Sequence, residues 1–108
     1  EPEQICSVFL EYGVRVAGVK LGERGCFLTD GKESHYIPAF KVDPVDATGA
    51  GDAFMAGFLV GVLKGWDLAT IGRFANAVGA LCVTAMGATG GYRTFEETWE
   101  FMENTPTR

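Results

Sequence analysis

Asp46-Ala47-Thr48-Gly49-Ala50-Gly51-Asp52 is the stretch from which the rest of the chain can be read. Three small residues precede an acidic one, and a run of helix formers, Ala53 to Lys64, follows at once. Small side chains let a backbone come close to an anion. The free amides and positive dipole end of a helix start favour a phosphate or a developing negative charge. Asp52 then has two readings on residue chemistry alone. A first-turn carboxylate can simply complement the helix dipole. It can also be an acceptor-only group beside an anion hole, placed to take a hydroxyl proton during attack on phosphorus.

Outward from this stretch, the elements are marked by local signals. Gly49 onward reads as a helix to about Lys64 closed by Gly65, and Asp67 caps a following helix through Phe74, Val78 and Leu81. Met86 to Gly91 is Gly-rich and breaks that helix, and Thr94-Phe95-Glu96-Glu97 matches a capping box that opens a last helix bearing Trp99 and Met102. Upstream, Ile5, Val8, Phe9 and Tyr12 fall on one helical face between Pro2 and Tyr12, with Gly13 suited to the C′ position. Arg15 to Leu21 alternates like a strand. Cys26 to Thr29 is a second short strand, and Asp30-Gly31 is a hairpin signal leading into Ser34–Ile37. Ala39 to Val45, with Pro44 inside it, reads as an extended loop or edge strand. This order predicts an α/β sheet edge covered by helices, with earlier strands of the same sheet expected upstream.

Composition narrows the function classes. The 108 residues, 47% hydrophobic and 21% charged, describe one globular domain at most or a piece of one, and 15 glycines point to special backbone positions. A net charge of −5 with singly scattered basic residues argues against a nucleic-acid surface and a polybasic membrane patch. The apolar run Ala53–Leu63 is too short to span a bilayer, and Glu1-Pro2-Glu3-Gln4 does not resemble a signal peptide. Cys6, Cys26 and Cys82 are odd in number and far apart, which favours a reduced, cytoplasmic setting over a disulfide scaffold or zinc site. His35 reads as a surface residue, Trp66 and Trp99 as packing residues, and Cys82 as a core filler.

Val45-Asp46-Ala47-Thr48-Gly49-Ala50-Gly51-Asp52-Ala53-Phe54 resembles the second signature of the ribokinase-like (phosphofructokinase B type) carbohydrate kinases, Asp-Thr-x-Gly-Ala-Gly-Asp-x-Phe. Ala47 departs from the usual Thr or Pro at a loop-shaping position. No Walker A sequence occurs, and Gly49-x-Gly51 lacks the Rossmann continuation. The resemblance implies the C-terminal part of a ribokinase-like three-layer α/β/α sandwich, incomplete without upstream strands. It implies ATP-dependent phosphorylation of a hydroxyl on a small sugar or sugar derivative, with Mg2+ accompanying the ATP.

Residue by residue, Asp52 resembles the catalytic base, and the amides of Gly49, Ala50 and Gly51 resemble the anion hole. Val19-Lys20-Leu21-Gly22-Glu23-Arg24-Gly25-Cys26 is similar to the strand and loop bordering the nucleotide, which brings in Lys20, Gly22 and Gly25. Taken alone, the same glycines are also what a tight turn uses. The family reading sets Asn76 beside the adenine base. The plain reading gives it a hydrogen bond to a neighbouring loop. In members that use a monovalent cation such as K+, its oxygen ligands would map to Asp46 and Thr48 and to the Cys82–Gly91 segment through Cys82, Ala85, Gly87 and Gly91. An Asp46 that only caps the turn is the simpler alternative.

The resemblance further implies that sugar-binding, lid and Asn-x-x-Glu segments lie upstream, so that residues 1–108 alone are inactive. Neither a nucleic-acid nor a membrane partner is expected, and the oligomeric state stays open, a homodimer among the options. A nucleoside kinase of the same fold and a non-catalytic nucleotide-binding or assembly fragment are the rival readings.

Overall fold

A computed structural model describes residues 2–11, 13, 15–21, 24–40, 50–83 and 95–107. Among them, helix α1 (Pro2–Glu11) leads into strands β1 (Ala17–Lys20), β2 (Cys26–Thr29) and β3 (Ser34–Ile37), followed by helices α2 (Ala50–Lys64), α3 (Leu68–Val83) and α4 (Phe95–Asn104). The strands form one antiparallel sheet in the order β1-β2-β3, with Lys20 opposite Cys26 and Cys26 opposite Ile37.

The local signals act where the sequence sets them. Gly13 and Gly65 take positive φ values of 91° and 73° immediately beyond α1 and α2, conformations that cost a side-chain-bearing residue more. The Asp67 carboxylate accepts the Thr70 amide at 2.8 Å and caps α3. The Thr70 side chain and that amide hold the Asp67 carboxyl below the usual carboxylate range. At the β2–β3 hairpin the Asp30 carboxylate accepts the amides of Lys32 and Glu33, both at 2.9 Å, around Gly31 at φ 92°. Thr94 of the expected capping box lies outside the described residues.

β2 is buried along its whole length, which makes it the middle of three layers. Cys26 and Leu28 point to one face and pack with Ile37, Phe54, Leu68 and Ile71, beneath α2 and α3. Phe27 points to the other, where it meets Cys6 of α1 and Ala17. A strand buried on both faces needs an apolar residue at successive positions rather than every second one. α2 and α3 lie close because Gly57 and Gly61 face the partner helix. A Cβ at Gly57 would sit 2.9 Å from the Ala75 Cα, and one at Gly61 would sit 3.2 Å from the Ile71 Cα.

α4 closes a further cluster in which Met102 packs with Phe40, Phe74 and Ala77. Arg73 donates to the Met102 carbonyl at 2.9 Å, and Phe40 bridges Thr107. Trp66 and Trp99 are packing residues, stacked edge-on at 5.3 Å between ring centres beside Phe74 and Phe95. His35 lies on the hairpin, 3.3 Å from the Glu33 carboxylate.

On α1, Ile5 and Val8 are 45% and 52% exposed while Cys6 is fully buried. A smaller residue wins because α1 lies close over Ala17 and Phe27, where a thiol fits. The Tyr36 hydroxyl donates to the Glu3 carboxylate and ties α1 to β3, holding the Glu3 carboxyl below its usual range. No helix among the described residues is long and apolar enough to cross a membrane.

Candidate functional site

The first turn of α2 is open. Asp52 and Gly51 are exposed, and among the described residues no atom lies within 4 Å of where a Gly51 Cβ would project. Among the described residues Asp52 carries no hydrogen bond or ion pair. Ala50 begins the helix. The backbone amides of an α-helix's first turn have no intrahelical acceptors, so this end offers donors to an incoming anion. Gly49 precedes it outside the described residues, as do Asp46 and Thr48.

A second group of sequence-predicted residues gathers at the Lys20 end of the sheet. Lys20 closes β1 and is exposed. Gly25 begins the return into β2 with φ 99°, and its amide-side turn is held by Leu21 N–H to the Gly25 carbonyl at 2.7 Å and Arg24 N–H to the Leu21 carbonyl at 3.2 Å. A side chain on Gly25 would run into the Ile37 carbonyl and approach the Ala39 nitrogen at 2.8 Å. Gly25 is therefore required by the close passage of two backbones, whatever else it borders. Gly22 lies outside the described residues.

Asn76, on α3, is buried, and its amide nitrogen donates to the Ile37 carbonyl at 3.3 Å and to the Pro38 carbonyl at 3.2 Å. These contacts are those of the plainer reading, a side chain bonded to a neighbouring loop. They explain a poor helix former in the middle of a helix. Beside it, the Cys26 thiol lies 4.0 Å from the Gly72 carbonyl. Burial pushes that thiol up to about 12, against a smaller opposing effect from Asn76. The sequence pointed to Gly25 and Asn76 separately, but it carried no sign that both grip Ile37 or that Cys26 sits among them.

The thiol shift has a measurable consequence. The folded chain keeps the Cys26 proton up to about 12, while an unfolded thiol releases it from roughly pH 8.5. Above that pH the unfolded state binds fewer protons, so stability is lost as pH rises. The denaturant-midpoint advantage of the wild type over Cys26→Ala should shrink from pH 8.5 toward pH 11. An advantage that stays constant over this range would contradict it.

Most of the expected cation ligands fall outside the described residues. Ala85, Gly87 and Gly91 lie outside the described residues, as does the side chain of Cys82, whose backbone is in the last turn of α3.

The description "pfkB family carbohydrate kinase" belongs to a family model that matches residues 2–94. The chain is 42% identical to a ribokinase of Bacillus subtilis over 81 residues, which cover 75% of this chain and 28% of the relative. A candidate ribokinase II of E. coli, solved in complex with ATP and Mg2+, is similar with a TM-score of 0.86 at 34% identity, over 95% of this chain and 33% of that one. A nucleoside kinase of Burkholderia thailandensis in complex with inosine gives 0.80 at 32% identity, over 95% and 33%. The chain spans between 25% and 33% of the length of the first curated relatives it matches. Its layered arrangement is part of the ribokinase fold. With nearly all of its length matched and that fold shared, this chain belongs to the pfkB family of carbohydrate kinases.

Proposed function

We propose that the chain is the ATP-binding and catalytic-base part of a kinase domain that transfers the γ-phosphoryl group of ATP to a hydroxyl of a small sugar or sugar derivative. The observation that carries this reading is the exposed first turn of α2, where Gly51 and the Asp52 carboxylate meet no partner among the described residues. A carboxylate that only stabilised the helix would serve equally well without small residues preceding it.

In this reading Asp52 accepts the proton of the substrate hydroxyl as that oxygen bonds to the γ-phosphorus and the bond to the bridging oxygen of ADP breaks. The amides of Gly49, Ala50 and Gly51 hydrogen-bond the equatorial oxygens and stabilise the charge on the moving phosphoryl group. A general base contributes about 10²–10⁴-fold, and each preorganised donor about 3 kcal/mol. Mg2+, when bound with ATP, neutralises part of the phosphate charge. Lys20 ends β1 exposed, where its ammonium can reach a phosphate. K+ held by Asp46, Thr48, Cys82, Ala85, Gly87 and Gly91 belongs to the same proposal through the family resemblance.

The nucleoside-kinase likeness favours one further reading, a nucleoside hydroxyl as acceptor. One assay tests both. The complete protein is given ATP, Mg2+ and a panel of ribose, fructose, 2-dehydro-3-deoxygluconate and inosine, with and without K+, and ADP formation is followed. ADP release dependent on a sugar supports the proposal, and release with inosine alone moves it to nucleosides. ATP binding without release for any acceptor would overturn it in favour of a non-catalytic nucleotide-binding module.

A further inference from the structure

Three elements that are distant in sequence are joined at one short stretch of main chain, Ile37–Ala39, where the chain leaves β3. From one side Gly25 lies so close that only hydrogen fits between its Cα and the Ile37 carbonyl. From the other side the Asn76 amide donates to the carbonyls of Ile37 and Pro38. Beneath them Cys26 is paired with Ile37 in the sheet and packs by its sulfur against the Gly72 carbonyl of α3. Gly72 itself has no room for a side chain because Ile37 and Leu28 fill that space. No buried side-chain nitrogen or oxygen among the described residues lacks a partner. The junction is therefore a satisfied, close-packed knot, and such knots shift as a unit when one member is removed.

Resting on the ATP-binding reading above, we infer that Asn76 is a positioning residue: by holding Ile37 and Pro38 it fixes the Leu21–Gly25 turn and keeps Lys20 aligned for the nucleotide. The coupling runs through atoms in contact. Asn76 holds the Ile37 carbonyl, that carbonyl abuts Gly25, and the Gly25 carbonyl receives the Leu21 amide next to Lys20. Removing the amide takes away the side-chain donor that reaches both carbonyls from α3 and frees the strand exit to move, which loosens the main chain at Leu21 and Gly25. This role needs no contact between Asn76 and the base. It therefore differs in outcome from direct recognition of adenine.

The test uses the complete protein and three variants. Asn76→Ala removes the donor, and alanine suits a helix interior already rich in Ala75, Ala77 and Ala80. Asn76→Ser restores a short donor. Met102→Ala is a destabilised control in the separate α4 cluster. For Asn76→Ala we expect KM for ATP and for ITP to rise together by about tenfold, with kcat within threefold, partial recovery in Asn76→Ser, and no KM change in Met102→Ala.

An ATP-specific rise that spares ITP would overturn the positioning role in favour of base recognition. A KM shift of equal size in Met102→Ala, or none in Asn76→Ala, would also overturn it. Hydrogen exchange on the wild type gives an independent reading that requires no variant to fold. ATP should protect the peptide spanning residues 34–40 along with the turn, and protection of the turn alone contradicts the coupling. A wild type that neither binds nor uses ATP would instead sink the proposed function itself.

Discussion

Replacing Asp52 by Asn in the complete protein should lower turnover by about a thousandfold, within the range that a positioned general base contributes. The substitution keeps the size and shape of the side chain and removes only its capacity to take a proton. Asp52 is exposed and bonds to nothing among the described residues, so within them its charge contributes to stability through the helix dipole. That contribution is of order 0.3–1 kcal/mol at an exposed helix start. ATP affinity should stay within about threefold and the thermal midpoint should move little. The two readings of this residue separate cleanly on that basis. If Asp52 only complements the dipole, stability falls slightly and turnover is retained. Loss of less than tenfold in kcat, with binding and fold intact, would remove Asp52 from the chemistry.

Gly25→Ala should have the largest effect on folding, and it acts through sterics alone. The native φ of 99° is one that L-residues avoid, and the new methyl would meet main-chain atoms of Ile37 and Ala39. Backbone cannot swing aside as the end of a flexible side chain can, so the strain is not relieved locally. A cost of roughly 3 kcal/mol or more follows from combining an unfavourable φ with the clash. The measurement is the urea midpoint of the variant, with ATP affinity taken on whatever fraction remains folded. A variant of native stability whose only defect is weak ATP binding would show that Gly25 serves the nucleotide directly and not the packing. Gly25 also borders the turn proposed to face ATP, so this pair of readouts decides which demand sets the glycine.

Much of the architecture was legible because its signals are short-range. The Asp67 cap reaches Thr70, Asp30 reaches Lys32 and Glu33, and Gly65 ends the helix it follows, all within a few residues. The Asp46–Asp52 stretch was equally legible as a pattern, and the family match over residues 2–94 agrees with what it resembled. The helix α1 was legible from its spacing, but the residue it buries was not. Helical spacing identifies an apolar stripe at Ile5 and Val8, but burial depends on how near the helix lies to its sheet, and here the close approach over Ala17 and Phe27 selects Cys6. Spacing carries no information on interlayer distance.

The sequence by itself determined the order of the described elements, the small-residue entry into α2 and the position of an acidic residue in its first turn. Each of these depends on neighbours along the chain, through caps, turns and backbone preferences. Only the tertiary structure decided that Asn76 would hold Ile37 and Pro38, 39 and 38 residues away, and that Gly25 would lie against the same carbonyl. It also decided that β2 would be buried on both faces. Those outcomes follow from how three layers pack, and a packing distance is a property of the assembled layers that no local stretch encodes. The first turn of α2 joins the two levels. Its residues are written in the sequence, while the exposure of Gly51 and Asp52 at the helix start exists only once the chain is folded.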